Sequence, residues 1–216
     1  MEKSIVKDYL YPNLLHLDYS HLFQDQFTFR PTGSTTAAVI YLLHTPTELL
    51  QTNDYVHVIA FDFSKAFDRV RHHSLASKLA NFPLPDYLYN WIVNNLSDQQ
   101  HQTRLGGNVS PTLPINPSII QGSGVGPVEY VFTASDLHPI SPFNQFCKYA
   151  DDTYLLVPAT NTLCIQSEIQ HLSDWATANN LKFNNSKSQE MIVQLPHRRK
   201  LFPNPIAIPG ITFPLL

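Results

Sequence analysis

The sequence predicts an α+β fold: an antiparallel sheet of the split βαβ, ferredoxin-like kind with helices packed on one face. Three observations predict it. Tyr55 to Phe63 is a short, nearly continuous apolar run, the pattern of a strand covered on both faces. Lys148 to Val157 reads as strand, tight turn and strand, with Asp151 and Asp152 in the middle. Stretches with apolar residues at helical spacing lie between and after these runs, giving the order strand, two helices, glycine loop and helix, hairpin, helix, strand.

Taken in order, residues 1–25 mix Tyr, Leu and His around one proline and read as an irregular segment. Pro31 and Gly33 then mark a turn, and Ser34 or Thr35 can cap a helix. That helix carries Val39, Leu42, Leu43 and Leu50 as a one-sided stripe, and Pro46 should kink or end it. Arg30 could contact a phosphate backbone or pair with a carboxylate, and spacing alone favours the carboxylate. The strand from Tyr55 ends at Asp62, an acid at the tip of a buried strand.

Helices are expected near 74–81 and at 86–96, the second with Leu88, Trp91, Ile92 and Leu96 on one face. Residues 99–120 suggest a hairpin around Gly106-Gly107 and a proline-rich connector. Gln121 to Pro127 is a glycine-rich turn, with Pro127 suited to the first residue of a helix running to about 137. The turn lacks the Lys-Ser/Thr of a phosphate loop and the spacing of a dinucleotide fingerprint. Its glycines suggest a backbone lying close to a flat ligand. After the Asp151-Asp152 hairpin, Ile165, Ile169, Leu172 and Ala176 mark a helix over 162–179, stopped by Asn179-Asn180. Leu181–Asn184, a turn at Asn185–Lys187 and Met191–Val193 suggest a last hairpin. Beyond residue 196 the chain is proline-rich, with the basic run His197–Lys200 read as a solvated patch.

The 216 residues are 43% hydrophobic and only 14% charged, which favours a packed core over disorder. The two cysteines and ten histidines show no zinc-ligand spacing, and a reduced, intracellular setting is the default, nucleus and cytoplasm being undistinguished. No apolar run approaches the ~20 residues of a membrane span, and the start lacks a signal-peptide core. The net charge of −3 argues against a free-standing nucleic-acid binder, because phosphate contacts need a basic surface. No feature bears on oligomeric state.

Buried adjacent carboxylates repel unless a cation or donors compensate. Asp151-Asp152 alone reads as an Asx turn at a hairpin tip. Pairing the Asp62 strand beside the hairpin would bring Asp62, Asp151 and Asp152 to one sheet edge. Three carboxylates there would suit two magnesium ions and a phosphoryl transfer.

The motifs then gain a family. Phe61–Asp68, Gln121-Gly122-Ser123, Tyr149-Ala150-Asp151-Asp152 and Leu181–Asn184 with Lys187 resemble, in order, motifs A, B, C and D of reverse transcriptases. Phe27–Pro31 with Ser34-Thr35-Thr36 is similar to the segment before motif A in non-LTR, LINE-type retrotransposon enzymes. The resemblance spans roughly 24–195 and implies a polymerase palm with part of the fingers over 26–195. The segment 196–216 would then be a link towards a thumb, and the family's basic fingers would be sought outside this chain.

The resemblance implies an RNA-directed DNA polymerase that joins a dNTP to a DNA primer 3′-hydroxyl on an RNA template. Asp62, Asp151 and Asp152 would hold two Mg²⁺ ions, with Mn²⁺ as a substitute. Phe67, five residues after Asp62, matches the aromatic gate that excludes a sugar 2′-hydroxyl. Gln121 and Gly122 would lie along nucleotide and template. Tyr149 and Arg30 would line the substrate side, and Lys187 would protonate the leaving pyrophosphate. Asp68 reads as a structural acid and Lys65 as solvated. Ile120 stands where the family commonly has proline before Gln-Gly. The alternative is a truncated, non-catalytic remnant of such an enzyme.

Overall fold

The computed structural model describes residues 2–120, 122–196 and 206; Gln121 and the basic run 197–200 lie outside the described residues. Helix α1 (Thr35–Leu49) is capped by Ser34, whose Oγ accepts the Ala37 N–H at 3.0 Å. Strand β1 (Tyr55–Phe61) follows, then helices α2 (His72–Leu79), α3 (Asp86–Leu96) and α4 (Gly126–Thr133). The hairpin is β2 (Gln145–Tyr149) and β3 (Asp152–Pro158). Helix α5 (Ile165–Ala178) and strand β4 (Gln189–Gln194) complete the fold.

The sheet order is β2-β3-β1-β4, all antiparallel, with β1 central. This is the expected ferredoxin-like arrangement, because α2 to α4 carry the chain from β1 to the hairpin and α5 returns it to β4. Along β1 the side chains alternate between two cores. Ile59 and Phe61 join Phe146, Leu155 and Val157 in the main core beneath α2 to α5. Val56 and Val58 point the other way, towards Leu50 and Tyr154.

Three expectations need correction. Helix α1 and its end bury only half of the expected stripe: Leu42 and Leu50 pack inward, but Val39 is 49% and Leu43 68% exposed. It packs through Ala38, Tyr41 and Leu42 on the sheet face opposite the main helix layer, against Cys147 and Leu156. Ala38, Tyr41, Leu42 and Thr45 are also helically spaced, and the smaller face allows close approach to β2. Residues 2–15 are helical turns rather than irregular. Val6, Leu10 and Leu14, one turn apart, enter the main core. Leu181–Asn184 makes no hairpin with β4: Phe183 bridges to Phe63, and their rings stack at 5.1 Å.

Two lysines from separate elements hold the end of α4. Lys148 is 1% exposed, and its Nζ donates to the carbonyls of Ala134 (3.1 Å) and Leu137 (2.8 Å) while lying 3.0 Å from Asp25 Oδ1. Lys78 donates to the Thr133 carbonyl and to Asp136 at 2.6 Å. Cations suit a helix C-terminus, where unpaired carbonyls concentrate negative charge.

The start of α4 carries the opposite problem. Glu129 is 2% exposed, and its Oε1 has no hydrogen-bond partner. Burial, and secondarily Glu2, push its carboxyl up to about 7. A raised folded pKa means the stabilising contribution is full below the unfolded value and lost as pH rises through 7. Between pH 5.5 and 8 this group should remove about 2 kcal/mol of stability. Denaturant titrations at the two pH values should show the loss in wild type and a smaller one in Glu129→Gln.

Candidate active site

Asp62 follows the last residue of β1. Phe61 pairs with Thr153, so the next step along β1 lies against Asp152 at the head of β3. Both acids line one cleft of about 340 Å³, together with Tyr154, Ser186 and Lys187. Lys187 Nζ is 4.0 Å from Asp62 Oδ1. Asp151 sits one residue earlier, in the two-residue turn joining Tyr149 to Asp152. The strand pairing therefore brings residues 62, 151, 152 and 187 to one end of the sheet.

The main chain around Asp62 is stitched on both sides. Asn184 N–H donates to the Asp62 carbonyl at 2.8 Å, and Ser64 N–H to the Lys182 carbonyl at 2.8 Å. Ser188, fully buried, accepts the Asp62 N–H at 3.4 Å and donates to the Asn184 carbonyl at 3.1 Å. The hairpin turn is held from the other side. Ala150 has φ 57°, a left-handed conformation that a non-glycine residue adopts at a cost. Its N–H donates at 3.2 Å to the side chain of Gln26, a buried residue bridged to Lys148. Sequence patterns gave no warning of Gln26 or Ser188, because neither residue type signals chemistry by itself.

The electrostatics are those of crowded acids. The carboxyl of Asp151 is raised by burial, and further by Asp152 and Asp62, against a lowering by Lys187 and by a hydrogen bond to its own backbone. That of Asp152 is raised by burial and then Asp62, again opposed by Lys187. Among the described residues no three Asp, Glu, His or Cys side chains are gathered closely enough to hold a metal ion as they stand. Hard oxygen donors in this state fit a divalent cation, which would relieve both the burial and the repulsion.

The raised folded pKa values mean that ionised Asp151 and Asp152 weaken the ion-free fold at neutral pH. Asp151→Asn should therefore raise the ion-free melting temperature. Millimolar Mg²⁺ should raise the wild-type value more than the variant's. Differential scanning calorimetry with and without the ion checks both statements.

The other expected residues divide. The Phe67 ring is half-buried and stacks on Tyr130 at 4.6 Å. Tyr149 shares a 2.7 Å hydrogen bond with Thr35 Oγ1, tying the hairpin to α1. Gly122 has φ 85° with open space where a Cβ would stand, so backbone conformation rather than crowding requires glycine there. Arg30 is not among the cleft's lining residues. Its guanidinium donates to the carbonyls of Phe23 and Gln26, and burial lowers its pKa. The Asp25 charge opposes that lowering, so a carboxylate does face Arg30, although the buried Nε finds no acceptor. Among the described residues no helix is long and apolar enough to cross a membrane.

Known proteins share this architecture. Residues 3–212 match the family described as reverse transcriptase (RNA-dependent DNA polymerase). The RNA-directed DNA polymerase from mobile element jockey of Drosophila melanogaster is 28% identical over 173 residues, covering 75% of this chain and 19% of the relative. A probable RNA-directed DNA polymerase from transposon BS of the same organism is 29% identical over 160 residues, covering 70% and 17%. The chain thus spans about a fifth of these relatives' lengths. Apo telomerase from Candida tropicalis, truncated from its C-terminal domain, superposes with a TM-score of 0.68 at 15% identity, covering 90% of this chain and 41% of that one. With the family matched across nearly its whole length, and the motif order resting on a palm-type sheet, this chain belongs to the reverse transcriptase family.

Proposed function

We propose that this chain is the palm, with part of the fingers, of an RNA-directed DNA polymerase of the non-LTR retrotransposon kind. The observation that carries the reading is the convergence of Asp62, Asp152 and Lys187 on one cleft, at the end of the sheet where Asp151 turns.

In this reading Asp62, Asp151 and Asp152 hold two Mg²⁺ ions, or Mn²⁺. When bound, the ions supply Lewis acidity to the attacking 3′-hydroxyl and charge neutralisation to the triphosphate. The sheet end fixes the backbone positions of the acids, whose side chains would gather on the ions. Lys187, 69% exposed on its turn, donates a proton to the leaving pyrophosphate. Phe67 meets the sugar and excludes a 2′-hydroxyl, while Gln121 and Gly122 lie along the nucleotide and template. Arg30 supports the site by shaping the 23–30 turn. The partners are an RNA template, a DNA primer and dNTPs.

The test is extension of a primer on an RNA template by the purified chain with dNTPs and Mg²⁺. Templated extension supports the reading. Its absence, when the same motifs set in a longer chain do extend, supports the alternative that this piece is a non-catalytic remnant.

A further inference from the structure

Phe67 is held on two sides. Its ring lies nearly flat on Tyr130, with planes 19° apart, and Phe29 meets it edge-on at 6.4 Å and 90°. Tyr130 comes from α4, just after the glycine-rich loop, and is 1% exposed. Its hydroxyl is pushed up by burial and then by Asp151 and Asp152, so the same ring supports Phe67 and lies within the field of the hairpin acids. Phe29 has φ 52° yet is 37% exposed. An aromatic residue in that conformation is strained, and a half-open position offers little burial to offset the strain. The strained residue instead brings its ring perpendicular to that of Phe67.

We infer that Phe29 and Tyr130 are positioning residues that clamp the Phe67 ring and set how strictly the site distinguishes deoxyribonucleotides from ribonucleotides. A ring excludes a hydroxyl only while it cannot turn aside, since a freely rotating side chain yields for little more than a change of rotamer. Tyr130 lies flat on one face of the ring and Phe29 stands perpendicular to it, so admission of a 2′-hydroxyl would require displacing three rings together. This inference rests on Phe67 being the sugar gate.

The test titrates the full chain, with Mg²⁺, against a dNTP and the matching NTP, for wild type, Phe67→Val, Phe29→Gly, Tyr130→Phe and Tyr130→Leu. Wild type should prefer the dNTP and Phe67→Val should lose the preference. Phe29→Gly and Tyr130→Leu should each reduce it about tenfold, while Tyr130→Phe keeps it. Phe29→Gly, at a half-exposed position, guards against a Tyr130→Leu chain that fails to fold. Glycine takes a positive φ freely, so the melting temperature should stay within about 2 °C of wild type while the preference falls. A purely structural ring would show the reverse. Unchanged preference in both clamp variants, with Phe67→Val impaired, overturns the clamp and leaves the gate standing. An effect in only one variant removes the other residue from the clamp. Unchanged preference in Phe67→Val, or none in wild type, overturns the gate and the clamp with it.

Discussion

Alanine at Asp151 or Asp152 should reduce primer extension on the order of 10³-fold or more, the scale expected when several kcal/mol of charge stabilisation is withdrawn from a phosphoryl transfer. The same variants should melt no lower than wild type without ions, because each removes a carboxylate whose ionised form the fold disfavours. Activity and stability thus move in opposite directions, which separates a lost metal ligand from a damaged fold. A paramagnetic readout adds a check independent of turnover: Mn²⁺ binding followed by electron paramagnetic resonance should weaken in every acid variant. Equal extension by wild type and Asp151→Ala would end the assignment.

Lys148→Met should destabilise the chain by about 3–5 kcal/mol, because it leaves Asp25 buried without its cation. Asp25 is 8% exposed, and its other oxygen lies 3.5 Å from His138 Nδ1. The substitution also removes the donor to the Ala134 and Leu137 carbonyls at the end of α4. Urea denaturation of Lys148→Met beside the double variant Lys148→Met/Asp25→Leu measures the ionic part. The double variant should recover part of the loss, since two apolar groups carry no unpaired charge. A Lys148→Met chain as stable as wild type would mean the ammonium contributes nothing to the fold.

The sequence was most legible where local pattern and tertiary role coincide. The apolar run Tyr55 to Phe63 read as a strand packed on both faces, which forms over Tyr55–Phe61, and Asp62 just past its end was conspicuous for that reason. The hairpin and the helix 86–96 were readable on the same grounds. Helix α1 shows the limit. Two apolar stripes were available, and only the presence of β2 decides that Ala38 and Tyr41, rather than Val39 and Leu43, turn inward. Contacts between segments far apart in sequence leave no local trace. That is why Gln26 beneath Ala150, Lys148 on Asp25 and Tyr130 beneath Phe67 emerge only from the fold. Arg30 drew notice for its charge, yet its work is to hold a turn.

The sheet order has a consequence for the chain as it is made. β1 lies between β3 and β4, and Phe61 finds its partner Thr153 only about 90 residues later in the sequence. At a synthesis rate of about 5–20 residues per second, the most apolar strand leaves the ribosome on the order of 5–20 s before either neighbour exists. Both its hydrogen-bonding edges stay open for that time, a state that invites pairing with other nascent chains. Yield on expression should therefore depend on chaperone supply and on translation speed between residues 61 and 153 more than on the stability of the finished fold.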